Sequence, residues 1–457
     1  MGGDVILKRF GSLVLLAASA WPLAAQSSYV VATSPSTNIG ALSAKYSFSV
    51  VKSWQNSVIV LNSVSSVAPF SATTLNQLMA EPGVVDVESN TNLQNPETDS
   101  SSQAVAPNPG ALPNLFGSPW PVQYYGNWVL PAYVTQPSAQ LIRLSEAQAD
   151  FGAGNGIVAI IDTGVDPTHP GLQGSLVQGF DFTRNRPDTV SELYDLPQQI
   201  QAALALSSAS RQISGPTTPI LSQSTVEILD QSTVEILDQS TVEILDGLNL
   251  PAGFGHGTMM AGLVHLIAPQ AQIMPLKAFH LDGSAHLWDI AAAIFYAADN
   301  GATVVNMSFG FTSSSPLLST AVTYATNHGV ILVSSAGNDS QSIVQYPGGY
   351  PTVVDVGSTS LLDQRSTFSN YGSSVNTAAP GEGLVTFFPG GLYAAGWGTS
   401  FSTALVSGAA ALFEDVRPNY TIIGFQNALT QGVPLDPSLG LGKARLDLVR
   451  AGNAFIR

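Results

Sequence analysis

The sequence predicts an α/β protein, a parallel sheet covered by helices on both faces and preceded by a small α+β unit. Three observations carry this. Short apolar runs at Ile157–Ile161, Val304–Met307 and Val330–Val333 have the length of buried strands. Between and after them lie stretches with helical spacing. Leu287, Ile290, Ile294 and Ala298 make one stripe, and Leu317–Thr326, Thr403–Phe413 and Ile422–Leu429 read as further helices. The two kinds alternate from about Ser138 onward, the pattern of a parallel sheet with crossover helices. Ligands of such sheets bind beyond the carboxyl ends of the strands, where several motifs described below fall.

Composition sets the bounds. The chain has 457 residues, 45% of them hydrophobic and 10% charged, a globular balance. It has no cysteine, which excludes disulfides and thiolate chemistry. A net charge of −16 argues against nucleic acid or anionic membrane as a partner, because both call for basic patches. The apolar run Gly11–Ala20 is too short to span a bilayer. With Lys8 and Arg9 before it and Leu23-Ala24-Ala25 after it, it reads as an export signal over 1–25, cleaved after Ala25, so the expected location is secreted or periplasmic.

The segment 28–94 reads as the α+β unit. β-like runs occur at Tyr29–Ala32, Ser57–Leu61 and Val84–Val87, and a helix at Thr73–Ala80 stops at Glu81-Pro82-Gly83. The stretch 95–137 is proline-rich and reads as a linker, although Trp120, Tyr124, Tyr125 and Trp128 suggest that its second half lies against a domain surface. The large domain follows over 138–457. Inside it, Gln-Ser-Thr-Val-Glu-Ile-Leu-Asp occurs three times over 223–246. An even period returns each side chain to the same face of an extended chain, whereas eight residues of helix leave a drift of about 80°. The repeat therefore favours strands. Its carboxylates match no EF-hand spacing.

Three stretches carry chemistry. In Val158–Asp166 an apolar strand ends in Asp162, followed by Thr163-Gly164, and a carboxylate there can fix the tautomer of an imidazole. In Gly255-His256-Gly257-Thr258 the histidine opens a helix, and flanking glycines let other chain segments approach. His169, His265, His280, His286 and His328 lack that setting. In Gly398-Thr399-Ser400-Phe401-Ser402 the serine stands at a helix start beside backbone N–H groups able to hold an oxyanion; alone, it would read as a helix cap.

Together these stretches resemble the subtilase family of serine proteases over about 138–455, with the order Asp, His, Ser. Val333–Asn338, Val304–Gly310, Phe368–Gly372 and Ala379-Pro380-Gly381 match further family segments. The resemblance implies a subtilisin-like three-layer fold and a serine endopeptidase acting on polypeptides through an acyl-enzyme on Ser400. It implies His256 as base, Asp162 as its orienting partner, and Asn338 with the Ser400 amide as oxyanion donors. Ser308, Phe309, Gly310, Ser334, Ser335, Ala336 and Gly337 would border the substrate cleft. The segment 28–94 would be an inhibitory prodomain. The chemistry would need no cofactor, and structural calcium would be compatible with the family. Two features depart from its pattern. Phe401-Ser402 and Ala404 replace the usual Met-Ala and Pro, and an excess stretch over 183–251, containing the repeat, reads as a surface insertion that limits access of large substrates. A non-catalytic binding protein of this shape and a scaffold that cleaves only its own prodomain are the rival readings.

Overall fold

The computed structural model describes residues 27–94, 121–202, 235–236, 250–418 and 420–456. The export signal, most of the linker and all of the repeat but two residues lie outside the described residues. The chain divides into two compact units: residues to Asn92 with His286–Ala292, and Leu93–Ala285 with Ala293–Arg457.

The first unit contains β1 (Ser27–Thr33), α1 (Ile39–Tyr46), β2 (Phe48–Gln55), β3 (Val60–Ser66), α2 (Ala72–Met79) and β4 (Val84–Ser89). The strands form an antiparallel sheet in the order β2-β3-β1-β4. Period-two residues Tyr29, Val31, Phe48, Val64 and Val87 bury one sheet face with Leu42 of α1 and Leu78 of α2. The helices are capped by Asn38 and Ser71, whose side chains accept from Ala41 N and Thr74 N at 3.0 Å. Sequence patterning misses α1 and β2. In β2, exposed and partly exposed positions alternate after Phe48, so no apolar run marks it. The run expected from Ser57 becomes strand only at Val60, because Asn56 Oδ1 first accepts from Val58 N and Ile59 N in a turn.

After Leu93 and Gln94, the second unit continues among the described residues with the hairpin β5 (Val122–Tyr124) and β6 (Asn127–Val129), inside the proline-rich stretch. Tyr133 and Val129 are fully buried there, and Tyr133 OH donates to Gly262 O at 2.6 Å. After α3 (Leu144–Phe151) come β7 (Ile157–Asp162), β8 (Phe180–Asp181), β9 (Glu235–Ile236), α4 (His256–Ile267), β10 (Gln272–Lys277), α5 (Leu287–Asp299), β11 (Val304–Met307), α6 (Pro316–Asn327), β12 (Ile331–Ser335), β13 (Val353–Thr359) and β14 (Thr377–Pro380). They are followed by β15 (Leu384–Phe388), β16 (Leu392–Gly396), α7 (Thr399–Val416), α8 (Ile422–Leu429), β17 (Val433–Pro434), β18 (Ala444–Arg445) and α9 (Leu448–Ile456).

Among the described residues the main sheet has nine strands in the order β17-β18-β14-β13-β12-β11-β7-β10-β8, parallel except for β17 against β18. Val158, Ile160, Val304, Ile331 and Val333 share a core cluster with residues of α4 and α7. Alternation turns Ala159, Ile161, Val305 and Leu332 to the other face, where they too are fully buried. A sheet buried on both faces explains why its strands read as continuous apolar runs. β15 and β16 form an antiparallel hairpin, and Glu235 and Ile236 of the middle octapeptide pair antiparallel with β16.

Candidate active site

Asp162 is the last residue of β7. Its carbonyl accepts from Ala278 N and Phe279 N at 3.0 and 3.2 Å, and its Oδ1 accepts from Thr163 N at 2.7 Å. The backbone and the carboxylate are thus both fixed. His256 opens α4, and its Nδ1 lies 2.8 and 2.9 Å from the two carboxylate oxygens of Asp162. Both side chains are buried. Nδ1 donates in this geometry, which leaves Nε2 as the basic nitrogen.

The glycines around His256 have distinct reasons. Gly255 caps the helix at φ +86°, a left-handed conformation. A Cβ on Gly257 would collide with the carbonyl oxygen of Gly164, so only glycine lets α4 start against the Asp162 turn. Gly257 N then donates to Thr163 Oγ1 at 3.3 Å.

Ser400 is the second residue of α7, in the first turn, where amides have no acceptor within the helix. Its hydroxyl donates to Ser308 O at 3.1 Å, and Ser308 Oγ donates to Ser400 O at 3.3 Å. The end of β11 is therefore stitched to the start of α7. The end of β12 is joined to it as well. Asn338 Oδ1 accepts from Thr399 N and Thr399 Oγ1, both at 2.9 Å, and Gly337 N donates to Thr399 Oγ1 at 3.1 Å. With Oδ1 committed, the donor end of the Asn338 amide is oriented. Among the other residues singled out by sequence, Ser334 Oγ donates to Phe309 O at 3.3 Å, while Ser335 and Ala336 are buried.

Two of the three departing residues at the helix start, Phe401 and Ser402, have local explanations. Phe401 is fully buried with its ring against Gly396, where a Cβ would collide with it. Ser402 Oγ donates to Ala379 O at 2.9 Å, satisfying a strand-end carbonyl.

Two buried side chains here carry no sequence signal. Gln345 lies between Gly310 and Gly337, and a Cβ on either glycine would collide with its Oε1. Its Nε2 donates to Asp339 Oδ2 at 2.9 Å, while the buried Oε1 has no hydrogen-bond partner. Glu192 is fully buried in a 3-10 turn, Glu192–Asp195, and accepts from Thr258 Oγ1 at 2.5 Å. Burial, with the nearby charge of Asp166, raises its pKa to about 8 against the opposing Thr258 hydrogen bond. The stretch expected to be a surface insertion therefore begins as core: Thr189, Ser191, Glu192 and Leu196 are all buried. Buried polar side chains had made it look like surface. Beside it the fully buried Lys277 donates to Thr163 O and Phe279 O at 2.6 and 2.8 Å, and its Nζ is ion-paired with Asp195 Oδ2 at 2.7 Å. Among the described residues no group of three or more His, Asp or Glu is placed to hold a metal ion.

A doubly covered parallel sheet, with a buried Asp–His pair at one strand end and a helix-start serine bound to the ends of two others, holds the side-chain types of a serine-nucleophile site. The matched part of the chain is more specific than that. Residues 154–433 match the model of the subtilase family, and the chain belongs to that family. It is 33% identical over 255 residues to the thermophilic serine proteinase of Bacillus sp. (strain AK1), covering 56% of this chain and 51% of that protein. Thus it spans about half the length of that relative. It is 36% identical over 186 residues to subtilisin BL of Lederbergia lenta (39% and 69% covered) and 31% identical over 274 residues to thermitase of Thermoactinomyces vulgaris (58% and 76%). The crystal structure of fervidolysin from Fervidobacterium pennivorans shares the fold, with a TM-score of 0.63 at 20% identity, covering 94% of this chain and 61% of that one. No helix among the described residues is long and apolar enough to cross a membrane.

Proposed function

We propose that the chain is an exported, zymogen-type endopeptidase that hydrolyses polypeptides through an acyl-enzyme on Ser400. The observation that carries this is the His256 Nδ1 contact of 2.8 Å to Asp162, which assigns the basic nitrogen of the imidazole. In the proposed reaction His256 Nε2 takes the Ser400 hydroxyl proton as the oxygen attacks the peptide carbonyl. Asp162 stabilises the imidazolium that results. The Asn338 amide and the Ser400 N–H hold the tetrahedral oxyanion. The imidazolium then protonates the leaving amine, and water repeats the sequence to release the acid. Side chains and backbone amides suffice for each step.

The segment 28–94 acts, in this reading, as an inhibitory prodomain removed by the enzyme itself. Its support is the capped, independently packed α+β unit. The test compares purified wild type with Ser400→Ala for release of the N-terminal unit and for casein hydrolysis. Wild type should show both and the variant neither. A wild type with neither activity refutes the reading, and release without casein hydrolysis converts it to a self-processing scaffold.

A further inference from the structure

We infer that Glu192 is a positioning residue for the Asp162–His256 pair, holding the Thr163–Asp166 turn and the first turn of α4 in register through Thr258. The inference rests on the catalytic roles proposed above.

The two segments meet in a ladder of polar contacts that starts next to the pair. Thr163 follows Asp162 and accepts from Gly257, which follows His256. One step further, Thr258 Oγ1 accepts from Asp166 N at 2.8 Å. A hydroxyl has one proton and must point it somewhere. Glu192 Oε1 takes it, which leaves a lone pair aimed at Asp166 N–H. The segment carrying Glu192 also grips the turn directly, since Val165 N donates to Val190 O at 3.0 Å. Gly164 has no room for a side chain because Glu192 N, Val190 O and Glu192 Oε2 crowd its Cβ position. Glu192 therefore touches both partners of the pair's scaffold and neither member of the pair.

The charge environment gives this device a pH dependence. Glu192 Oε2 is buried without a hydrogen-bond partner. The charged groups facing the carboxyl are Asp166 and Lys277. Asp166 is held by Thr168 N, Thr168 Oγ1 and Gly390 N, and Lys277 by two carbonyls and Asp195. Both are already engaged, so burial dominates and the carboxyl stays protonated at neutral pH. Loss of that proton at alkaline pH sets a buried charge against Asp166, across the turn that carries Asp162. Activity should therefore fall on the alkaline side.

The test uses the full chain and a chromogenic peptide, with kcat and KM measured from pH 6 to 10 for wild type, Glu192→Ala, Glu192→Gln and Thr258→Val. Glutamine keeps the acceptor and has no proton to lose. It should hold turnover at pH 7 within about threefold of wild type and lose the alkaline fall. Alanine and Thr258→Val should lower kcat by about 10–100-fold with KM little changed, the scale of a misplacement of about 1 Å. Unchanged kcat and pH profile in Glu192→Ala, with only a lower melting temperature, would overturn the inference, as would an alkaline fall that persists in Glu192→Gln. The Nδ1 proton resonance of His256 in the Ser400→Ala background gives a second readout. It should shift or broaden when Glu192→Ala is added. An unmoved resonance counts against Glu192 even if the wild type proves inactive, a result that would refute the catalytic reading instead.

Discussion

Replacing His265 with leucine should make the protein markedly less sensitive to acid. His265 lies in α4, fully buried, with its ring near Tyr124 and Phe387 at centroid distances of 6.4 and 5.9 Å. Its Nε2 has no hydrogen-bond partner and its Nδ1 is 3.5 Å from Ser175 Oγ. Burial, reinforced by the neighbouring His169, lowers its pKa from 6.5 to about 4. The unfolded chain therefore binds a proton between those values that the folded chain refuses, and stability falls as pH falls through that window. At about 1.4 kcal/mol per pH unit the loss reaches roughly 2 kcal/mol at pH 5 and roughly 3.4 kcal/mol once pH is well below 4. Leucine fills a similar volume and removes the proton site. Urea midpoints should be compared at pH 7.5 and 5, in a Ser400→Ala background to suppress self-digestion. The wild-type sequence should lose about 2 kcal/mol more than the variant over this interval. Equal losses would mean that His265 takes up its proton without unfolding, and the burial argument would fail. Glu192 and Asp355, whose carboxyls burial raises to about 8 and about 7, act in the opposite sense, since their contribution is lost as pH rises. They are common to both proteins and drop out of the difference.

Asn338→Leu should lower kcat by about 10²–10³ with KM little changed, checked by steady-state kinetics; the magnitude is carried over from an oxyanion donor of this same family, not worked from the geometry. A kcat within threefold of wild type would remove Asn338 from the oxyanion site. Gln345→Gly should open the space between Gly310 and Gly337. The kcat/KM ratio for phenylalanine over alanine on the acyl side of the scissile bond should then rise about tenfold or more. An unchanged ratio would show that this space receives no substrate side chain.

What was legible in the sequence follows from physical locality. β7, β11 and α8 lie within a residue of their expected limits because burial on two faces, or on a helical stripe, writes itself into consecutive residues. Asp162, His256 and Ser400 stood out because their neighbours are constrained too, as Gly257 is by the Gly164 carbonyl. The start of α7 was less legible. The apolar run Thr403–Phe413 marks only its interior; it begins at Thr399, as the serine motif implies, where Asn338, 61 residues away, accepts from the Thr399 amide. Glu192 and Gln345 were invisible for the same reason, since each is defined by segments far off in the chain. A buried glutamate that serves a distant threonine looks, in sequence, like any surface glutamate.

The stretch between Asp162 and His256 has two different halves. Its early part, through Leu196, is clamped into the interior, and at its return Gly253 N donates a hydrogen bond to Leu281 O at 2.8 Å. The octapeptide units fall between those two anchors. Gain or loss of one unit would thus alter contour length without displacing either tether, and the even period would keep the side-chain alternation of an extended segment in phase.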